Sequence, residues 1–243
     1  MPDPPVTIVI PTYNEAENLS RLISALLILE LPGLRVLVVD DNSPDGTGEI
    51  ANGLVEAHPD QVSAVHRPGK GGLGPAYLHG FGIALERGAA AVGQMDADFS
   101  HPPEKWPELA AAAEQSDLVI GSRYVPGGSV DRDWPFWRKG LSAFGNMYAR
   151  SILGLPVRDV TGGFRLYRRE LLEGMPLDRV RSNGYVFQVE MAYLARLCGA
   201  RVQEVPIYFA DRRWGTSKMS LRIQLEAALR VWQVKFEYRD LEG

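Results

Sequence analysis

Three short acidic segments carry the residue types that metal-assisted chemistry on phosphates requires: Pro11-Thr12-Tyr13-Asn14-Glu15, Asp40-Asp41 and Asp96-Ala97-Asp98. The third is the sharpest. On an extended chain, alternate side chains point the same way about 6–7 Å apart. Asp96 and Asp98 can then converge on one hard divalent cation, or one can bind directly and the other through water. Mg2+ or Mn2+ held in this way keeps positions open for phosphate oxygens. Acidic residues also cap strand ends and open turns, and that plainer role stays open here. The apolar run ending at Met95 places the pair at the end of a buried strand, which favours chemistry. Asp40 to Gly46 reads equally well as an Asx turn leading into a helix. Pro11 to Glu15 reads equally well as a helix start, with Asn14 as cap and Glu17 reaching back.

Gly69-Lys70-Gly71-Gly72-Leu73-Gly74 spells G-x-G-x-x-G. A dinucleotide fingerprint follows the first strand of its fold and opens the first helix. This one follows the third strand and comes after Arg67-Pro68, so it reads as a chance match, in a loop whose Arg67 and Lys70 are still candidates to lie near a nucleotide. Further on, Arg123, Arg132, Arg138, Lys139 and Arg150 outweigh Asp131 and Asp133 and interleave with Trp134, Phe136, Trp137, Phe144 and Tyr148. A solvated face over a core helix explains that mixture. So does an anionic membrane surface or lipid head group, where aromatics and Arg/Lys sit comfortably. The Asp211 to Lys218 segment, basic and following a strand, suits closing over a phosphate or is a surface turn. The chain has no Walker lysine motif, G-x-S-x-G or H-E-x-x-H, and its four histidines are not at metal-ligand spacing.

The elements that must position these groups follow from the apolar pattern. Val6–Ile10, Val36–Val39, Val62–Val65, a run ending at Met95, and Leu118–Ile120 are short β-branched strands without polar alternation. Helical spacing covers Glu15–Leu29, Thr47–Ala57 and Pro75–Arg87 between them. Such strands separated by helices predict an α/β chain with a mostly parallel central sheet covered on both faces. In such sheets ligands bind beyond the C-terminal strand ends, where all three acidic segments fall. The second half predicts a long loop over Val125–Arg138, a helix over Lys139–Leu153, and an edge or antiparallel strand at Gly163–Tyr167. A helix over Tyr185–Cys198, a strand over Val202–Phe209 and a last helix over Leu221–Phe236 follow. One domain is expected.

Composition sets the outer limits. With 243 residues, 45% hydrophobic and 23% charged, the chain is neither disordered nor fibrous. A net charge of −4 speaks against nucleic acid as a partner. The single cysteine, Cys198, permits neither an internal disulfide nor a cysteine zinc site, and suits a reducing cytoplasm. No apolar run approaches the roughly 18–20 residues of a membrane span. The N-terminus lacks the basic start and apolar core of a signal peptide. Any membrane association is therefore expected to be peripheral.

Taken in order along the chain, these segments resemble the inverting, GT-A type glycosyltransferases of family 2, and within them the mannose-phosphate-lipid synthases. The resemblance rests on Pro11–Glu15, Asp40–Thr47, Asp96-Ala97-Asp98-Phe99-Ser100-His101, Gly121-Ser122-Arg123-Tyr124, Thr161–Tyr167, Gly184–Gln188 and Asp211–Lys218. It implies GDP-mannose as donor and a polyprenyl or dolichyl phosphate as acceptor. Pro11, Tyr13, Glu15, Val39 and Asp41 are implied to hold the nucleoside, and Asp96 and Asp98 the metal, with Met95 and Ala97 lining the same site. Arg123, Arg212 and Lys218 are implied to close on the donor phosphates and sugar. Arg138, Ser142 and Arg123 are implied to take the lipid phosphate, which makes residues 1–122 a nucleotide and metal half and 123–243 an acceptor half with the C-terminal helix. Some relatives have glutamine where this chain has Ser100, and some carry C-terminal membrane spans. The expected setting is the cytoplasmic face of the membrane, with a membrane-embedded subunit as a further candidate partner. The rival readings are a transferase using a UDP-sugar, including a lipid-phosphate glucosyltransferase, a sugar-nucleotide pyrophosphorylase, and a binding module without catalysis.

Overall fold

The structure, a computed structural model, describes residues 5–211 and 221–242. Strands β1 (Val6–Thr12), β2 (Arg35–Asp40) and β3 (Val62–His66) are parallel neighbours, and β4 (Ala91–Gln94) runs parallel along the other side of β1. Their lack of polar alternation has a direct cause. Along β1, Ile8 and Ile10 enter one core while Val9 enters the other; along β2, Val36 and Val38 oppose Leu37 and Val39. Helices α1 (Leu19–Leu27), α2 (Thr47–Ala57) and α4 (Trp106–Ala112) cover one face. Helix α3 (Leu73–Glu86), with α5 (Phe136–Leu153), α6 (Arg169–Gly174), α7 (Gly184–Leu197) and α8 (Leu221–Glu237), covers the other.

The seven-stranded sheet is completed by β5 (Leu118–Ser122), β7 (Arg165–Arg168) and β8 (Val202–Pro206), in the order β3-β2-β1-β4-β7-β5-β8. The chain steps outward from β1 to β3 and then crosses back to β4. The crevice between the C-terminal ends of β1 and β4 is therefore the topological switch point at which α/β sheets bind ligands. Strand β7 alone in this sheet runs antiparallel, with Gln94 opposite Arg165 and Arg165 opposite Ile120. Its N-terminal end thus delivers the 159–163 segment to the edge where β4 and β5 end.

Several boundaries differ from expectation. The predicted helix over Glu15–Leu29 begins only at Leu19, because Asn14 is in the left-handed region at φ 62° and the chain makes a turn before Asn18. Asn14 is therefore not its cap. The predicted loop over Val125–Arg138 contains β6 (Ser129–Val130), paired with β9 (Tyr208–Phe209), and it yields to α5 at Phe136. Strand Val202–Phe209 breaks at Ile207 because β9 leaves the main sheet to make that pair. The Gly163–Tyr167 alternation does mark an antiparallel strand, but an interior one. Its arginine, Arg165, is fully buried and tolerated there because its guanidinium donates to the carbonyls of Val160, Gly162 and Gln188 at 2.8 Å each.

Candidate active site

A cleft of about 220 Å³ opens at the switch point. It is walled by Pro11, Thr12, Tyr13 and Glu15 after β1, Asp41 after β2, Lys70, Gly72 and Leu73 before α3, and Asp96, Ala97 and Asp98 after β4. A second cavity, about 190 Å³ and mostly apolar, lies at the other end of β5 and β8, away from the acidic loops.

The first two loops are locked together. The Asn14 N–H donates to Ser43 Oγ at 3.1 Å, Glu15 N–H to Thr47 Oγ1 at 2.9 Å and Ala16 N–H to Asp45 Oδ2 at 3.1 Å. Asp45 forms the Asx turn, with Thr47 N and Oγ1 donating to its Oδ1. Burial works against its charge, but the Thr47 and Ala16 hydrogen bonds prevail and hold the carboxyl below its usual range. Asp40 is internal: Thr12 Oγ1 donates to it at 3.0 Å and Ser43 Oγ at 2.6 Å. Its neighbour Asp41 enters the cleft, where Arg67 Nη1 at 2.6 Å and the Gly71 N–H at 3.0 Å fix the two carboxylate oxygens. Lys70 Nζ lies 3.9 Å over the Tyr13 ring. The close approach of this loop requires glycine at position 72, where φ is +96° and a Cβ would stand 1.9 Å from Asn183 Nδ2.

The aspartate pair lies on a turn beyond β4 rather than on extended chain, which corrects the expected alternate-position geometry. Each carboxylate is gripped from behind. Tyr77 donates its hydroxyl to Asp96 Oδ1 at 2.9 Å, and Ser100 donates N–H at 3.0 Å and Oγ–H at 2.6 Å to Asp98 Oδ1. Burial, reinforced by Asp96, pushes the Tyr77 phenol well above its usual value, so it acts only as a donor. Ser100, where some relatives have glutamine, is thus committed to Asp98. His101 is buried and accepts the Asp96 N–H on Nδ1 at 3.1 Å, which puts its proton on Nε2. Burial lowers its pKa against the pull of Asp96 and Asp98, so the imidazole is neutral. Among the described residues no cluster of three or more His, Cys, Asp or Glu is arranged to hold a metal. Two hard carboxylates nonetheless fit a divalent cation that takes its other ligands from water and substrate phosphates.

The acceptor candidates form a second group. Arg123, beyond β5, is chelated by buried Asp159 through Nε and Nη2 at 2.7 Å each, and Nη2 also donates to Thr161 Oγ1 at 2.8 Å. Burial disfavours both charges, but each group sustains the other: the Arg123 pKa is raised and that of Asp159 lowered. Arg138 stacks 3.7 Å over the Trp134 ring and bonds Asp211 Oδ1 at 3.0 Å. Ser142, one turn on, accepts the Tyr124 hydroxyl at 2.7 Å.

The structure therefore gathers Pro11, Tyr13, Glu15, Asp41, Asp96, Ala97 and Asp98 in one cleft and sets Arg123, Arg138 and Ser142 apart from it. The side chains of Val39 and Met95 do not line the cleft: both are fully buried, with Val39 in the helix-covered core and Met95 accepting the Trp106 indole N–H on sulfur at 3.3 Å. Arg212 and Lys218 lie outside the described residues. Sequence reading gave no role to Tyr77, Gly72, Asp159, Thr161 or Asn146, although Gly72 lies in the glycine run and Thr161 opens one of the segments that carry the resemblance.

The comparisons bear on family and fold. Residues 7–175 match the model of glycosyl transferase family 2. The polyprenol monophosphomannose synthase of Mycolicibacterium smegmatis is 48% identical over 231 residues, 94% of this chain and 86% of that one. The undecaprenyl-phosphate mannosyltransferase of Micrococcus luteus is 47% identical over 226 residues, covering 93% and 92%. Among solved structures, glucosyl-3-phosphoglycerate synthase from Mycobacterium tuberculosis, crystallised with Mn2+, UDP and its product, superposes with a TM-score of 0.65. It covers 96% of this chain and 79% of that one at 18% identity, a likeness of fold. A GT-A sheet with an acidic cleft at its switch point, matched over residues 7–175 by a family model and along most of its length by two relatives at 47–48% identity, makes this chain a member of glycosyl transferase family 2.

Proposed function

We propose that this enzyme transfers mannose from GDP-mannose to a polyprenyl or dolichyl-type phosphate with inversion at the anomeric carbon, releasing GDP. The observation that carries the reading is the Asp96/Asp98 pair, held by Tyr77 and Ser100 in the same cleft as the Tyr13 and Asp41 loops. The names of the two close relatives supply the sugar and the lipid phosphate.

Pro11, Tyr13, Glu15 and Asp41 contact the nucleoside, while Val39 and Met95 reach the donor only through their main chains. Asp96 and Asp98 hold Mg2+ or Mn2+, which, when bound, supplies Lewis-acid stabilisation of the departing diphosphate. Ala97 lines the same floor, and Arg212 and Lys218 are assigned to the donor phosphates and sugar by resemblance alone. Arg123, Arg138 and Ser142 hold the acceptor phosphate. Its second pKa is about 6, so it is largely a dianion at neutral pH and needs no general base. His101, buried and neutral with Nδ1 occupied, has no such task.

Among the described residues no helix is long and apolar enough to cross a membrane. The lipid is met instead by α5, where Phe136 and Trp137 are 90% and 68% exposed and Phe144 and Met147 protrude further along, beside basic Arg132 and Lys139. This face rests on an anionic cytoplasmic leaflet. Trp134, first grouped with these aromatics, is buried against Arg138 and Phe209 and takes no part. The direct test is incubation with labelled GDP-mannose and a short polyprenyl phosphate, with UDP-glucose in parallel. Butanol-extractable label from GDP-mannose supports the reading; label from UDP-glucose alone overturns it.

A further inference from the structure

We infer that the Thr161 hydroxyl is a further hydrogen-bond donor to the acceptor phosphate, forced into that role by the groups behind it. This rests on the proposed placement of that phosphate at Arg123, Arg138 and Ser142. A hydroxyl has one proton to give and two lone pairs with which to accept. Both lone pairs of Thr161 Oγ1 are filled, by Arg123 Nη2 at 2.8 Å and Asn146 Nδ2 at 2.9 Å. A guanidinium cannot accept in return. Nor can Asn146, which is 3% exposed and has every valence engaged. Its Oδ1 takes the Val160 N–H at 2.9 Å and the Thr161 N–H at 3.2 Å, and its second Nδ2 proton goes to Ser142 O at 3.1 Å. Two main-chain N–H groups on one end fix which way this amide points. The Thr161 proton is left without an acceptor among the described residues, on a side chain that is still partly exposed.

Its position suits an anion. Arg138, Ser142 and Asn146 follow one another at four-residue steps on one face of α5. Ser142 Oγ is loaded from behind in the same manner, by the Tyr124 hydroxyl. The 159–163 segment runs from Asp159, which chelates Arg123, to Gly163, whose ideal Cβ would lie 3.8 Å from Asp96 Oδ1. The segment that carries Thr161 therefore reaches from the partner of Arg123 to the neighbourhood of Asp96. A donor with no capacity left to accept favours a phosphate oxygen over a neutral alcohol.

The test compares Thr161→Val with Thr161→Ser by steady-state kinetics on GDP-mannose and a short polyprenyl phosphate, with melting temperature as a control on folding. Thr161→Val is expected to raise the acceptor KM about tenfold, in line with loss of one charge-assisted hydrogen bond, and to leave the donor KM within about twofold. Thr161→Ser restores the acceptor KM. Thr161→Ala reads the same effect if the valine variant does not fold. An unchanged acceptor KM in the valine or alanine variant, a donor KM that rises in step with it, or failure of serine to restore it overturns the inference. Arg138→Ala and Ser142→Ala run alongside. If these raise the acceptor KM and Thr161→Val does not, the inference alone falls. If none of them moves it, the subsite reading falls as well.

Discussion

In the donor cleft the aspartate pair is held by neutral donors, Tyr77 on Asp96 and Ser100 on Asp98. On the proposed acceptor side the arginines are held by full carboxylates, Arg123 by Asp159 and Arg138 by Asp211. The difference is electrostatic. Neutral donors orient a carboxylate without themselves cancelling its charge. A carboxylate beside a guanidinium offsets much of its charge, so an incoming phosphate is met chiefly by whichever N–H and O–H donors are left over. On the proposed reading, metal binding at the first region is a matter of charge, and phosphate selection at the second a matter of donor geometry.

The comparison breaks most visibly at Asp98. Asp98→Ala should lower kcat about 10³-fold, since it removes a group aimed at transition-state charge, and saturating Mn2+ should not recover it; a variant that keeps most of its rate would remove the metal role from the cleft. Asp159→Asn should act on stability first. Taking one partner from a buried pair costs about 3–5 kcal/mol, read by urea denaturation. Because the folded pKa of Asp159 is depressed, its contribution is complete above the unfolded value of about 3.9 and is lost as pH falls through the lower folded value. The acid limb of the stability profile should therefore be flatter in Asp159→Asn.

Tyr77→Phe sharpens the donor side. Removing an outer hydrogen bond to a metal-ligating carboxylate typically weakens metal affinity about 10–100-fold, which Mn2+ titration by electron paramagnetic resonance would measure, with the acceptor KM unmoved. The smallest effect is expected at the surface. Replacing Phe136 and Trp137 by Ser should weaken sedimentation with anionic vesicles while leaving kcat unchanged on an acceptor short enough to dissolve. Full vesicle binding by that variant would detach α5 from the membrane role.

How far each region could be read from the chain follows from the same contrast. The donor cleft is built from contiguous segments at the ends of apolar strands, so Tyr13, Asp41, Asp96 and Asp98 declare themselves by local pattern. The switch point itself depends on the strand order, which the apolar pattern does not give. The acceptor side depends on pairs remote in sequence: Arg123 with Asp159, 36 residues on, and Asn146 with Thr161, 15 residues on. No periodicity announces these, because an antiparallel strand inserted between two parallel ones brings them together. The grouping of Trp134 with the neighbouring aromatics misleads for a similar reason, since Arg138 and Phe209 cover it from other elements.

The most direct measurement is the anomeric configuration of the product. A single in-line displacement on GDP-α-mannose by an ionised phosphate predicts a β-mannosyl phosphate linkage, read from the one-bond carbon–proton coupling at C1 by NMR. An α-linked product, or no transfer to polyprenyl phosphate with Mg2+ or Mn2+ present, would contradict it.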